Sequence, residues 1–264
     1  MPDALRQYRA DGWAVFAADA AMTEWAAACA PVARRMLDDP ALAQWYRCDG
    51  TWFAGVNALE NDARGAVPGQ VPPLSGAAVR FAREALGAGD VAWDRAQVSV
   101  VFPGYPRHGA EDTEGSYRYR RNRYAAHVDG LERSMPDRRR TLSETHSFLL
   151  GIPLGEASED EGAFVIWRGS HEIMRAGFTE ALAGHDPADW FGVDVTDAYV
   201  AARKRCFETC EPVRIAPGPG AAYVMHPLAL HGVAPWESAA SAPRMVAYFR
   251  PDAFGGDPVK WLNA

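Results

Sequence analysis

Cysteine is scarce, with four residues in 264. That is too few for a disulfide framework, and Cys206 and Cys210, in CxxxC spacing, fit neither a CxxC redox pair nor a zinc knuckle. All four read as ordinary thiols of a reducing compartment. Basic residues are outnumbered, 27 Lys and Arg against 34 Asp and Glu, for a net charge of −7. This excludes a general nucleic-acid binder, which carries a basic excess. No apolar run of about 18 residues occurs, so no membrane span is expected. The opening Met1-Pro2-Asp3-Ala4-Leu5-Arg6 has no basic segment leading into an apolar core. Secretion by a signal peptide is therefore not expected, and the cytoplasm is the expected location. Internal repeats and low-complexity tracts are missing too.

The remaining composition is that of a folded chain. Hydrophobic content of 48% and charged content of 23% exclude whole-chain disorder. A chain this long can bury roughly 70–75% of its unfolded surface, and one domain over residues 1–264 is expected. Residues 1–90 read mainly as helix. After Asp19, a plausible N-cap, apolar side chains at Met22, Trp25, Ala26, Cys29, Ala33 and Met36 keep helical spacing, with Pro31 expected to kink or split the helix. A second helix is expected from Ser75 to Leu86, ending at Gly87. Residues 50–73 read as loop, broken by Pro68, Pro72 and Pro73.

From Val91 the period becomes two. Val98, Val100 and Phe102 open a series of strand candidates: Tyr119–Asp129, Thr145–Leu154, Ala163–Trp167, Pro212–Ile215, Ala221–His226 and Arg244–Arg250. A helix over about Thr196–Phe207 interrupts them. Short strands in one block after a helical block predict an antiparallel barrel or double sheet, over about residues 91–251, with helices packed outside.

Three separated pieces carry chemistry. In Tyr124-Ala125-Ala126-His127-Val128-Asp129-Gly130, His127 and Asp129 stand at i and i+2, so on a strand both face one side. A second piece, Gly220-Ala221-Ala222-Tyr223-Val224-Met225-His226-Pro227-Leu228-Ala229-Leu230-His231-Gly232, supplies His231, with His226 as a competing ligand. Two histidines and a carboxylate with neighbouring positions left open suit non-haem Fe(II), whereas zinc more often recruits three N or S ligands. The third piece is Pro243-Arg244-Met245-Val246-Ala247-Tyr248-Phe249-Arg250. A guanidinium fork matches a carboxylate in two hydrogen bonds; Arg244 is the preferred clamp and Arg250 the weaker alternative.

With Gly162-Ala163-Phe164-Val165-Ile166-Trp167-Arg168-Gly169-Ser170-His171 and the opening Tyr8-Arg9-Ala10-Asp11-Gly12-Trp13-Ala14-Val15-Phe16, these residues resemble the phytanoyl-CoA dioxygenase-like (PhyH) branch of Fe(II)/2-oxoglutarate oxygenases. The resemblance runs over roughly residues 5 to 251. It implies a mainly β fold with flanking helices around a double-stranded β-helix (jelly-roll, cupin-like) core. It implies His127, Asp129 and His231 as the catalytic iron ligands and Arg244 as the partner of the distal 2-oxoglutarate carboxylate. The implied reaction consumes O₂ and 2-oxoglutarate, hydroxylates a small molecule and releases succinate and CO₂. The carboxylate of Asp129 favours hydroxylation over a related halogenation, which needs a small residue there to admit chloride. The chain departs from the family at Arg168, where proline is frequent, at Val233, where a hydroxyl residue is frequent, and at Trp236, where Asn is common.

His146 begins a strand expected near the metal mouth. It reads either as a contact to cosubstrate or substrate or as a satisfied structural histidine. His171 reads as a turn stabiliser. Arg118, Arg120, Arg121 and Arg123, with Arg138, Arg139 and Arg140, are either a solvated face balancing the acidic stretch 156–161 or a mouth attracting an anionic substrate. Trp52, Trp93, Trp167, Trp190 and Trp236 are expected mostly in the core. Residues 50–73 and 104–123 are expected to form the variable lid regions. Two other functions stay open: a cupin-like metal isomerase or hydrolase without 2-oxoglutarate, and a non-catalytic jelly-roll binding module.

Overall fold

The computed structural model describes residues 1–110, 112–240 and 242–264. Residue 111, inside the 104–123 lid region, and residue 241 lie outside that description. Twelve strands are present among the described residues: β1 (Trp13–Phe16), β2 (Tyr46–Arg47), β3 (Trp52–Phe53), β4 (Gln97–Val101), β5 (Leu131–Arg133), β6 (Arg140–Leu142), β7 (Leu149–Pro153), β8 (Phe164–Trp167), β9 (Pro212–Ile215), β10 (Ala222–Met225), β11 (His231–Val233) and β12 (Arg244–Phe249). The helices are α1 (Pro2–Asp11), α2 (Ala20–Met36), α3 (Ala77–Arg80), α4 (Glu114–Arg123), α5 (Ser170–Leu182), α6 (Thr196–Thr209) and α7 (Pro258–Leu262). None is long and apolar enough to cross a membrane.

A seven-stranded sheet in the order β1-β10-β7-β12-β4-β3-β2 packs against a three-stranded sheet, β11-β8-β9, and every pairing in them is antiparallel. This is the double-stranded β-helix. Its physical basis is the period-two alternation of strand side chains. On β12, Val246 and Tyr248 face inward and join Leu149, Phe164, Ile166, Tyr223 and Met225 in a cluster between the sheets. Met245, Ala247 and Phe249, on the other face, join the cluster beneath α2 and α3. The short sheet is covered outside by α5 and α6, through Met174, Phe178, Tyr199 and Cys206 packed on Val165 and Trp167.

Helix α2 begins where expected: the Asp19 carboxylate accepts from the Met22 amide at 2.9 Å and the Ala77 amide at 2.7 Å, so one cap joins two helices. Pro31 does not split α2. Trp25, Cys29 and Ala33 bury the face on both sides of it, and that packing outweighs one missing backbone hydrogen bond. The second helix lies where expected, running from Ala77 through a wider π-type stretch over Phe81–Ala85 to a cap at Leu86.

Two expectations are corrected. The strand predicted over Tyr119–Asp129 is helix α4 as far as Arg123, and beyond it only His127 makes a bridge, to His231. Thr113 caps the helix by accepting from the Ser116 amide at 3.1 Å, and none of its residues is buried. Its alternating Tyr and Arg mimic a strand period. The boundary near residue 90 also fails as a division between helix and sheet. β1 pairs with β10, and β3 with β4, so the first ninety residues extend both ends of the main sheet.

Candidate metal centre

β11 brings the two histidines together. His127 and His231 are direct antiparallel partners: the His127 amide donates to the His231 carbonyl at 2.8 Å, and the reverse bond is 3.0 Å. Side chains of such a pair stand on the same face, and the two imidazole centroids are 4.5 Å apart. Asp129, two residues on, turns its carboxylate between them. Its Oδ1 is 3.2 Å from His127 Nε2, and its Oδ2 is 3.6 Å from His231 Nε2. One ligand atom from each residue fits within 4.8 Å of the others.

Both rings are oriented by the chain itself. Nδ1 of His127 lies 3.0 Å from the Ala125 carbonyl, and Nδ1 of His231 lies 3.0 Å from the Ala229 carbonyl. A carbonyl only accepts, so each Nδ1 carries a proton. His231 Nε2 presents its lone pair to the shared space. At His127 burial opposes the charged ring, but the hydrogen bond to Asp129 outweighs it and raises the pKa, so its Nε2 proton leaves when a metal binds. The chain approaches His127 through two left-handed residues, Tyr124 at φ 57° and Ala125 at φ 53°. Such backbone costs on the order of 1–3 kcal/mol per residue and persists where the surroundings enforce it. Gly232 has a packing reason as well, since a Cβ there would collide with the Tyr124 carbonyl.

Charge favours a cation here. Burial opposes ionisation of Asp129, but Arg250, then His231 and His127, hold its carboxyl well below the usual carboxylate range. Burial pushes the His231 imidazole down to about 3, so that ring is neutral and able to ligate. Arg250 donates to Asp129 Oδ2 at 2.6 Å, which fixes the carboxylate's orientation as a second-layer partner does.

The three residues open into a cavity of about 630 Å³, lined also by Trp52, Gln97, Ser99, His146, Leu149, Phe164, Phe191, Tyr248 and Arg250. His146 is 2% exposed, and neither ring nitrogen has a hydrogen-bond partner. Burial pushes its pKa down to about 4, so it is a neutral ring with an unused donor and acceptor at the cavity wall. Arg244 does not line the cavity. It is buried and lines a separate small pocket with Pro153, Ile215 and Tyr223, and its Nη2 donates to the Tyr248 hydroxyl at 3.1 Å, which in turn accepts from Tyr223 at 2.9 Å. Its Nη1 has no partner, and no carboxylate pairs with this guanidinium among the described residues.

His226 does not join the centre. Its Nδ1 accepts from the Leu228 amide at 3.0 Å, and its ring packs against His171 with centroids 4.8 Å apart. His171 Nε2 meets the Arg9 carbonyl at 3.1 Å, tying α5 to α1. The acidic stretch does not balance the basic runs. Asp160 pairs with Arg214 instead, while Arg118, Arg120 and Arg139 pair with Glu114, Asp112 and Asp194. Trp93, Trp167, Trp190 and Trp236 are buried and Trp52 borders the cavity. Sequence reasoning missed Tyr248, Ser99, Gln97 and Phe191. The inward parity of Arg244 and Tyr248 on one strand would have found the first.

Asp94 adds a pH-dependent element beside the site. Its Oδ1 accepts from the Arg250 amide at 2.8 Å. Burial, the largest influence, raises its pKa to about 6. The folded state therefore holds this proton to higher pH than the unfolded chain, whose Asp titrates near ~3.9. Stability from this group is present below about pH 4 and is lost as pH rises through about 6. Asp94→Asn keeps the accepting oxygen and removes the buried charge. It is expected to be more stable than the parent at pH 7 by about 1–3 kcal/mol, with the gap closing toward pH 4. Urea unfolding at both pH values measures this; an equal gap at both contradicts it.

No protein-family model matches the chain, and no curated protein matches it in sequence. Solved structures do. EctD from S. alaskensis, solved with 2-oxoglutarate and 5-hydroxyectoine, is 17% identical over 97% of this chain and 77% of that one, with a TM-score of 0.52. The non-haem α-ketoglutarate-dependent carbocyclase SnoK from nogalamycin biosynthesis is 16% identical over 94% and 82%, with a TM-score of 0.48. AviO1 from Streptomyces viridochromogenes Tue57 is 16% identical over 96% and 95%, with a TM-score of 0.45. At such identities the EctD likeness shows the shared fold, a double-stranded β-helix.

Proposed function

We propose that the chain is an Fe(II)- and 2-oxoglutarate-dependent oxygenase of the PhyH-like kind, hydroxylating a small molecule and releasing succinate and CO₂. The reading takes residues 1–264 as one domain in a reducing cytoplasm, in keeping with only four cysteines in 264 residues. One observation carries it. An open two-histidine, one-carboxylate centre shares a barrel with a buried guanidinium that has no carboxylate partner among the described residues.

The residues fit both groups. His127 Nε2, Asp129 and His231 Nε2 would hold Fe(II) and leave three positions free. Arg244 and the Tyr248 hydroxyl would hold the distal carboxylate of 2-oxoglutarate, satisfying the orphaned Nη1. Arg250 is the poorer clamp, because its guanidinium is already taken by Asp129. When bound, the iron and its cosubstrate supply the oxidising chemistry, coupling oxidative decarboxylation to attack on a substrate C–H bond. The protein supplies position and dryness. Phe164 stacks on His231 with centroids 5.4 Å apart, His146 offers a contact to cosubstrate or substrate, and Trp52 and Phe191 border the entrance. A metal isomerase or hydrolase without 2-oxoglutarate gains if Arg244 points away from the metal cavity; Arg244 does not line that cavity, and its link to it is the Tyr248 hydroxyl, which does. The fold is also that of EctD, a protein solved with 2-oxoglutarate.

The test is anaerobic addition of 2-oxoglutarate to the Fe(II)-loaded protein. A weak visible charge-transfer band with saturable binding is expected. Retention of Fe(II) with neither band nor binding overturns the reading.

A further inference from the structure

Among the described residues, three arginines beside the metal segment form no ion pair. β5 and β6 form a hairpin in which Arg133 stands directly opposite Arg140. Like charges so placed repel. Arg140 and Arg203 both lie over the Tyr199 ring, at 4.7 and 5.0 Å from its centroid, and Arg203 also lies 5.1 Å over Tyr119. Arg140 and Arg203 are half-buried. Among the described residues no carboxylate forms an ion pair with any of the three, although their neighbour Arg139 takes Asp194. This happens in a chain with more acids than bases. Repulsion from Arg203 and Arg133 adds to partial burial in lowering the pKa of Arg140. Tyrosine faces return about 0.5–2 kcal/mol per cation, which does not neutralise three clustered positive charges.

The hairpin grows out of the metal centre. It leaves from Gly130 and returns at Ser143, and both residues line the cavity. Arg133 and Arg140 are each three residues along it, about 10 Å of extended chain. Tyr119, under Arg203, donates its hydroxyl to the Ala126 carbonyl at 2.6 Å, next to His127. We infer that Arg133, Arg140 and Arg203 bind a phosphate group carried by the substrate, about 10 Å along the protein surface from the cavity wall. A phosphate monoester brings about −1.5 to −2 charge and three accepting oxygens at pH 7, a better match to three guanidinium forks than a single carboxylate. This assignment of substrate class rests on the oxygenase reading.

The first arm uses inorganic phosphate on the metal-free protein in a dilute, phosphate-free buffer, with chloride at matched ionic strength as control. Phosphate is expected to raise Tm by about 2–4 °C above chloride. Arg133→Gln is expected to raise Tm without phosphate, by relieving repulsion, and to lose most of the phosphate response; Arg140→Gln/Arg203→Gln should lose all of it. No rise in the parent protein, or an equal rise in these variants, overturns the site. The second arm compares phosphate monoesters with their parent alcohols as stimulators of 2-oxoglutarate turnover. If phosphate binds but no monoester outperforms its alcohol, the site serves a free anion and the substrate assignment fails. If phosphate binding fails while the charge-transfer band forms, this proposal alone falls. If the band fails while phosphate still binds, the oxygenase reading falls instead.

Discussion

His231→Ala is expected to abolish Fe(II) retention and 2-oxoglutarate turnover. Removing a mere second-layer partner of a metal ligand typically costs 10–100-fold in affinity or activity, so loss of a ligand should exceed about 100-fold. The fold should survive, because the backbone pairing with His127 does not involve the ring. Asp129→Ala should lose the metal equally but behave differently as a protein. The Asp129 carboxylate is the half-buried partner of Arg250 at 2.6 Å, and losing a hydrogen bond to a charged group costs about 1.5–3 kcal/mol. Metal-free Asp129→Ala is therefore expected to unfold at clearly lower denaturant concentration than metal-free His231→Ala. Equal metal content in either variant and the parent would remove the centre; equal stability of the two variants would remove Arg250 from its supporting role.

Arg244→Met carries the second large effect. Truncating one partner of a buried charge pair costs about 2–5 kcal/mol in binding, so the KM for 2-oxoglutarate should rise on the order of 30- to 4,000-fold. Without cosubstrate the variant should be as stable as the parent or more so, because an unpaired buried charge has been replaced by an apolar side chain of similar length. A purely structural Arg244 predicts the reverse, lost stability with unchanged KM. Arg250→Met separates the two arginines: it should weaken metal retention before it weakens cosubstrate binding.

Much of the framework could be read from the residues. Asp19 capping a helix, β9 at Pro212–Ile215 and β12 from Arg244 onward follow from local patterns, since capping side chains and period-two alternation act over a few residues. Helix α5 was legible but passed over: His171, Met174, Phe178 and Leu182 are its buried stripe. α4 was misread because its Tyr/Arg alternation imitates a strand, while the helix is held by the Thr113 cap, the Arg118–Glu114 and Arg120–Asp112 pairs and Tyr119 packed on the core. β2 and β3, two residues each, are too short to announce themselves, and only their partners in the main sheet define them; β1, as long as β9, was passed over.

The sequence by itself determined which side chains could ligate a metal, that His127 and Asp129 would share a face, and that the core would be antiparallel sheet. The resemblance already preferred His231 to His226; only the tertiary structure decided that Arg250 braces Asp129 while Arg244 bonds Tyr248, and that three arginines gather with no ion pair among the described residues. The physical reason is range. Side-chain parity and capping are set by neighbours along the chain, whereas partners more than a hundred residues apart are chosen by strand register, which the packing of both sheet faces fixes together.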